Sequence, residues 1–268
     1  MTSIDNAYLE LIAKVRGTGT PLITRNSHCL RLFGEQIKFH SCPLISIRKT
    51  AWKNALREWE WFMSGSNDIK DLHESVHPWW KPWAVDGKVN YNYSQQFREF
   101  HGRDGYVDQI DLLIWGIKQH PNSRRNVITT WNTAEMVDSR CAITNCHGTV
   151  IQSFVEPKDD SLHLVTYQRS ADLICGVPHN WIQYWAFMLW LSDVCDKKPG
   201  TLTWIGGDVH IYKSHFALAD KMLLSQKMEE IKTPDLFMKR SSKKFQADDF
   251  LLSNPYLPIL TDKAEMVV

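Results

Sequence analysis

The pair Cys146–His147, in "TNCHGTVIQSFV", is a candidate for covalent chemistry. A thiolate is a strong nucleophile and a soft metal ligand, but a free Cys also serves as a small apolar residue in a strand. Three roles therefore compete for Cys146. The cysteines, at 29, 42, 141, 146, 175 and 195, form no C-x-x-C pair, and their spacing matches no zinc template. Other stretches carry polar groups of chemical interest. "NSRRNV" sets Arg124 beside Arg125. At a strand's end both guanidiniums can reach one dianion, and the planar fork of Arg suits phosphate; two solvated surface charges are the plainer alternative. "YQRSADLICGVPHN" places Arg, Ser, Asp and Asn between an apolar strand and the most apolar helix, which suggests the border of a pocket. "GGDVHIY" has two glycines that permit close backbone approach, with His210 and Tyr212 on one face of a strand. A metal held by Asp208, His210 and His215 is a minor alternative; the expected metal set is none.

These residues need a scaffold. Segment 4–15 repeats apolar residues at helical spacing through Tyr8, Leu9, Ile12 and Val15. Segment 28–40 alternates like strands. "RKTAWKNALREWEWFMSG" predicts a long helix ended by Gly65, and "GYVDQIDLLIWGIKQHPNS" a second one stopped by Pro121. "RRNVITTWN", "GTVIQSFVE" and "SLHLVTYQRS" read as β-branched strands, and "NWIQYWAFMLWLSDVC" as a helix central to the core. "HPWWKPWAVDGKVNYNYS" reads as an aromatic, Pro-punctuated loop. The mixture predicts an α+β fold, a sheet with helices on one side. With 268 residues, 43% of them apolar and 23% charged, one large domain is expected over 1–268. A net charge of +1 predicts no nucleic-acid partner. No 18-residue apolar run predicts a membrane span, and "MTSIDNAYLELIAKVRG" lacks a secretory pattern, so a cytoplasmic location with reduced thiols is expected.

Taken in order, these blocks resemble the thymidylate synthase family along nearly the whole chain. "PLISIRK" is similar to the family's PLVTTKR, "REWEWFMSGS" to HELLWFLQG and "NSRRNVITTWN" to DSRRIIVSAWN. "YQRSADLICGVPHN" is similar to YQRSxDxxLGxPFN, and "WIGGDVHIYKSH" to the GDxHxYxNH block. "NCHG" falls where the family carries its PCH nucleophile. The resemblance implies a single domain with a mixed sheet, one face of which forms a homodimer. It implies dUMP as substrate and 5,10-methylenetetrahydrofolate as one-carbon donor.

The same resemblance implies residue roles. Cys146 is the nucleophile, and Arg169 assists the thiol and the nucleotide phosphate. Arg25 and Ser170 are further phosphate contacts, with Arg124 and Arg125 donated by the partner subunit. His210 and Tyr212 hold the 3′-hydroxyl. Glu58 and Tyr93 order proton transfer, and Asn180 reads the base. Trp80, Trp83, Asp172, Gly176 and His179 line the folate side.

An amide at 180 supplies an acceptor for N3–H and a donor for O4 of uracil, but a flipped amide would suit cytosine. Related phage hydroxymethylases acting on dCMP carry Asp at this place, which favours dUMP. The departures point to a different last step. His179 replaces a Phe, Cys175 a Leu, Asn145 a Pro and Arg48 a Lys, and the Gln after the nucleophile shifts by one to Gln152. "GKVNYNYS" and "REWEW" are closer to the hydroxymethylase pattern. Glu60 is a marker of that pattern rather than a second base, since residues two apart on a helix face different ways. A polar His179 would suit admitting water, so 5-hydroxymethyl-dUMP is the expected product, with dTMP as the alternative. The resemblance then also implies a phage that modifies its DNA, acting in the host cytoplasm. A non-catalytic nucleotide- or RNA-binding relative is the alternative of another class.

Overall fold

The computed structural model describes residues 3–24, 27–141, 145–225 and 233–267. Helix α1 spans Ser3–Thr18 and leads into strands β1 (Thr20–Ile23) and β2 (His28–Phe39). Helix α2 covers Trp52–Ser64 and ends at Gly65, whose φ of 87° closes the helix in the left-handed region. It starts four residues later than the sequence suggests. Arg48 instead bridges Leu260 in extended form, so the chain at that point belongs to a contact with the C-terminal segment.

The aromatic loop becomes short turns around helix α3 (His77–Trp80) and helix α4 (Tyr93–Arg98), the latter capped by the Asn92 side chain on Gln95 N–H. A small hairpin, β3 (Phe100–Gly102) and β4 (Gly105–Val107), precedes helix α5 (Gln109–Gln119), which Asp108 caps. Then come β5 (Val127–Thr129), the short α6 (Thr133–Met136), β6 (Val150–Glu156) and β7 (Ser161–Asp172). Helix α7 (Val177–Val194) and strand β8 (Lys198–Tyr212) follow. The chain closes with α8 (Phe216–Leu224) and a hairpin of β9 (Leu236–Met238) and β10 (Phe250–Leu252).

The main sheet has six strands in the order β1-β2-β8-β7-β6-β5. All pairs are antiparallel except β7–β8. It is the mixed sheet with packed helices that the α+β reading requires. Alternation sorts its faces: Ile151, Ser153 and Val155 point into the core. Val150, Gln152 and Phe154 point the other way, opposite Tyr167, Val165 and His163. Helix α7 packs on the inner face and is apolar nearly all round, as a core helix must be; Trp181, Tyr184, Phe187 and Trp190 are buried. On the outer face Phe154 is 47% and Val165 40% exposed. Among the described residues no helix is long and apolar enough to cross a membrane.

Candidate active site

Cys146 sits just before β6, and β7 fixes its backbone: Ser170 N–H donates to the Cys146 carbonyl at 3.1 Å. The loop around it carries the sequence departures, and each has a local explanation. Asn145 is fully buried and donates to Thr130 O at 3.0 Å, which ties the loop to the end of β5. Gly148 takes φ 55° and absorbs the extra residue, its N–H donating to the Tyr184 hydroxyl at 2.7 Å. Gln152 thereby falls on the outer face and donates to Arg124 O.

Tyr93, the first residue of α4, holds the thiol from the other side. Its hydroxyl oxygen accepts from Cys146 N–H at 2.8 Å and from His147 N–H at 3.4 Å, and lies 3.2 Å from Cys146 Sγ. With both N–H groups donating to it, its own proton points to sulfur. Arg169 completes the surroundings: Nε donates to Asn145 O at 3.3 Å, and the guanidinium lies 5.1 Å from the Trp131 ring. The cation does favour the thiolate, as does Tyr93, but burial outweighs both and raises the Cys146 pKa. The assistance to the thiol that the resemblance implies for Arg169 is therefore present but outweighed by desolvation. His147 is no ligand. It is buried among Tyr93, Phe62, Trp59 and Tyr184, and that burial keeps it neutral by pushing its pKa down to about 3. Among the described residues no group of three His, Cys, Asp or Glu side chains is arranged to hold a metal ion.

Behind the thiol runs a continuous line of hydrogen bonds. Trp204 Nε1 donates to Gln168 Oε1 at 2.9 Å, and Gln168 Nε2 to Asn180 Oδ1 at 2.9 Å. Asn180 Nδ2 donates to Gln183 Oε1 at 3.1 Å, and Gln183 Nε2 to Glu58 Oε2 at 2.7 Å. Trp80 Nε1 donates to the other carboxylate oxygen at 2.5 Å. Gly176 is the N-cap of α7, and its carbonyl accepts from Asn180 N–H at 3.1 Å. Burial pushes the Glu58 pKa up to about 7 against the pull of its two donors, so this carboxyl exchanges a proton near neutrality. Glu60, two residues on, faces elsewhere and accepts from Ala247 N–H.

The remaining expected residues fall into three groups. Asp172 pairs with His210 across β7 and β8 and accepts from Ile174 and Cys175 N–H through Oδ1. His210 is buried, lies 3.2 Å from Asp208 Oδ1 and packs edge-on against Tyr212 with ring centres 4.9 Å apart. Trp83 is partly buried against the core, while Trp80 is tied to Glu58 and packed on Trp61, Phe62 and Tyr93. Arg124 and Arg125 are exposed in the turn into edge strand β5, and the structure does not join them to Cys146 within this chain. Arg25 lies outside the described residues. The sequence reading passes over Gln168, Gln183, Trp204 and Trp79. Gln168 is inside the quoted "YQRS" block and Gln183 is one helical step from Asn180, but only the hydrogen bonds they make reveal their part.

His179 corrects the sequence reading. Its Nδ1 bonds Cys175 O at 2.8 Å, so that nitrogen carries the proton, and Nε2 accepts from Ala51 N–H at 3.3 Å. Burial holds its pKa down at about 4. Its ring meets Trp79 edge-on at 5.2 Å. Both nitrogens are spent on backbone, and neither is left to hold a water molecule.

The C-terminal segment lies against this side of the site. Lys49 N–H donates to Leu260 O at 2.7 Å, and Ile259 and Leu260 N–H donate to Ser46 and Ile47 O. Glu265 O accepts from His215 Nε2 at 2.9 Å, and Cys175 Sγ is 3.9 Å from Ala264 O. The partly exposed Asp172 carboxylate also faces His215, whose Nδ1 lies 3.9 Å from Oδ1.

The sequence profile of the family described as thymidylate synthase matches residues 6–268. The thymidylate synthase of Corynebacterium aurimucosum is 33% identical over 275 residues, covering 100% of this chain and 99% of that protein. The thymidylate synthase of Baumannia cicadellinicola is 32% identical over 97% of this chain and 99% of its own length. That of Buchnera aphidicola is 35% identical over 81% and 83%. A partly buried Cys–Tyr–Arg cluster beside a Glu–Gln–Asn line, together with matches that run from end to end of the chain, makes the conclusion plain: the chain belongs to the thymidylate synthase family of one-carbon transferases.

Proposed function

We propose that this protein transfers a one-carbon unit to C5 of dUMP by adding the Cys146 thiolate to C6, and that the product is dTMP. The carrying observation is Cys146 Sγ held 3.2 Å from the Tyr93 hydroxyl, with Asn180 fixed in the Glu58 line behind it. The family uses 5,10-methylenetetrahydrofolate, which supplies the carbon and, for a methyl product, the hydride.

The residues account for the rest of the chemistry. A pyrimidine is a poor carbon nucleophile at C5, and thiolate addition at C6 turns the ring into an enolate that attacks from C5. Tyr93 stabilises the thiolate through its proton. A dianionic phosphate beside Arg169 and Ser170 takes up part of the cation's field, and the partner's Arg124 and Arg125, together with Arg25, complete that phosphate pocket. Asn180 keeps one N–H for O4 and one lone pair for N3–H. Glu58 holds or releases the proton that charge on O4 requires. His210 and Tyr212 receive the 3′-hydroxyl, and Asp172, Gly176, Trp80, Trp83 and the His179–Trp79 pair border the folate. The active form is a homodimer of one catalytic domain over 1–268, joined through the outer sheet face on which Phe154 and Val165 are exposed.

Methylation is favoured over hydroxymethylation by two supports. The similar relatives carry the name thymidylate synthase. The C-terminal segment contacts Cys175 and His215 beside the proposed folate position, and both His179 nitrogens are engaged by backbone rather than left to position water. The hydroxymethyl product expected from the sequence keeps the support of "GKVNYNYS". Its Asn92 serves as a helix cap and its Asn90 accepts from Asn67.

Incubation of the protein with dUMP and methylenetetrahydrofolate tests the proposal. The expected result is tritium release from C5, dTMP by mass spectrometry and an equal amount of dihydrofolate by absorbance. A product one oxygen heavier, without dihydrofolate, would replace methylation by hydroxymethylation. No tritium release at all would overturn the one-carbon transfer itself.

A further inference from the structure

The line from Trp204 to Glu58 has a direction, and its direction is set at both ends by groups that can play only one role. An indole N–H donates and never accepts. Trp204 Nε1 therefore requires oxygen on the Gln168 amide at its 2.9 Å contact, which turns Gln168 Nε2 toward Asn180. The Ser170 carbonyl, 3.3 Å from the same nitrogen, can only accept and agrees. At the far end Gln183 Nε2 faces two acceptors, Ala55 O at 3.0 Å and Glu58 Oε2 at 2.7 Å. Gln183 must therefore turn Oε1 toward Asn180 Nδ2, 3.1 Å away. Asn180 is caught between a fixed donor and a fixed acceptor.

We propose that Gln183 is a positioning residue that locks the Asn180 amide for uracil and couples that amide to the Glu58 carboxyl. The inference rests on the dUMP reading above and deepens it. A flipped Asn180 would offer cytosine the complementary pattern, an acceptor for N4–H and a donor for N3. The flip would set its N–H2 against Gln168 Nε2 and its oxygen against Gln183 Oε1. Relieving those clashes by turning the glutamines as well would set Gln168 N–H2 against the Trp204 indole N–H and the Gln183 oxygen against the Ala55 carbonyl, which can only accept. No rotation of the set satisfies every buried group, and leaving one unsatisfied is costly. Gln183 is itself fully buried, so water does not replace a missing partner. Selectivity for uracil over cytosine thus resides in the second layer, where Gln183 is the only link between Asn180 and Glu58 in this line.

Gln183→Met keeps the volume and removes both hydrogen-bonding functions. Two readouts separate positioning from packing. In a Cys146→Ala background, calorimetry gives the ratio of dCMP to dUMP dissociation constants; Gln183→Met should lower that ratio at least five-fold. With Cys146 present, the pH dependence of turnover reports Glu58, which interacts electrostatically with Cys146 and Cys175. Losing a donor to the carboxylate should move the Glu58 limb upward by about one pH unit. Trp204→Phe cuts the line at its other end. It should lower the base ratio but leave the Glu58 limb in place, and it serves as the test if Gln183→Met does not fold. A wild type that is active on dUMP, with an unchanged base ratio in Gln183→Met or in Trp204→Phe, overturns the lock. A wild type inactive on dUMP overturns the functional reading beneath it.

Discussion

Replacing Tyr93 with Phe removes one oxygen and leaves the ring where it packs, on His147 and Phe62 at 4.5 and 4.6 Å between centres. That oxygen serves three partners, and the cost can be worked out for each. The Cys146 N–H loses a 2.8 Å bond, and the His147 N–H loses a 3.4 Å contact. An unsatisfied buried donor costs about 1–3 kcal/mol; with the second contact weak, a stability loss of about 2–3 kcal/mol is expected. The third partner is the sulfur. A thiolate that loses its hydroxyl donor is destabilised relative to the thiol, and about 1.4–2.7 kcal/mol of that difference raises the pKa by about one to two units. The sign follows from the burial that already holds the Cys146 pKa above the ordinary value, with Tyr93 the leading opposing influence. Alkylation by iodoacetamide, followed over pH and read at the Cys146 peptide by mass spectrometry, measures this directly. Tyr93→Phe should shift the alkylation midpoint upward and slow the reaction about ten-fold or more at pH 8. An unshifted midpoint in a folded Tyr93→Phe protein would show that the hydroxyl does not donate to the thiolate, and the role assigned to Tyr93 would fall.

Other outcomes follow from the same geometry. Asn180→Asp should lose about 1–3 kcal/mol of selectivity for dUMP, or roughly one to two decades in kcat/KM ratio against dCMP, because the new side chain accepts where Gln183 Oε1 needs a donor; an unaltered ratio would contradict base reading at 180. Glu58 is raised to about 7 in the folded protein, above the ~4.3 of a free Glu, so the folded state binds the extra proton between those values. Stability should therefore fall as pH rises from about 4.3 through 7, by about 3.7 kcal/mol in full, and Glu58→Gln should flatten that slope in denaturant titrations while abolishing turnover. An equally steep slope in Glu58→Gln would assign the titration to another group. If Arg124 and Arg125 cross to a neighbouring site, inactive Cys146→Ala and Arg125→Ala proteins should regain activity on mixing, since one of the two sites in a mixed dimer carries neither defect. Full activity of a monomer at nanomolar concentration would remove that arrangement.

The fold was legible wherever periodicity and turn chemistry agreed. Alternation in "GTVIQSFVE" matches β6 and its two faces, and Gly65 ends α2 as its position suggests. The apolar run from Asn180 to Cys195 is the core helix α7. Boundaries were legible only where a local group sets them. The late start of α2 depends on Arg48 pairing with Leu260, more than two hundred residues away in sequence, and no local pattern carries such a contact. In the site, Cys146 stood out by its own chemistry, and Arg169 and Asn180 by the polar stretch that holds them, whereas Glu58 and Tyr93 were reached only through the family resemblance. Gln168, Gln183 and Trp204 did not stand out, because a glutamine or an indole has meaning here only through the direction of its neighbours' hydrogen bonds.

His179 shows why side-chain type is a poor guide to the wetness of a pocket. A histidine in place of a phenylalanine adds a donor and an acceptor, and in solution both would bind water. In the first turn of α7 the donor lies within reach of Cys175 O, and the acceptor meets Ala51 N–H at the entry to α2. A backbone N–H and a backbone carbonyl that needed partners are thereby satisfied, and the ring presents its edge to Trp79. The imidazole acts as a tie between two helices whose polar atoms face the protein, and burial keeps it uncharged. The same reasoning applies to Asn145, which looks like a polar intrusion beside the nucleophile and instead pins its loop to Thr130. Polar substitutions near the thiol have thus been absorbed as structural hydrogen bonds. Trp79, Cys175 and the C-terminal segment meet at the side where the folate is proposed to bind, a setting that suits the proposed hydride transfer by keeping competing water away.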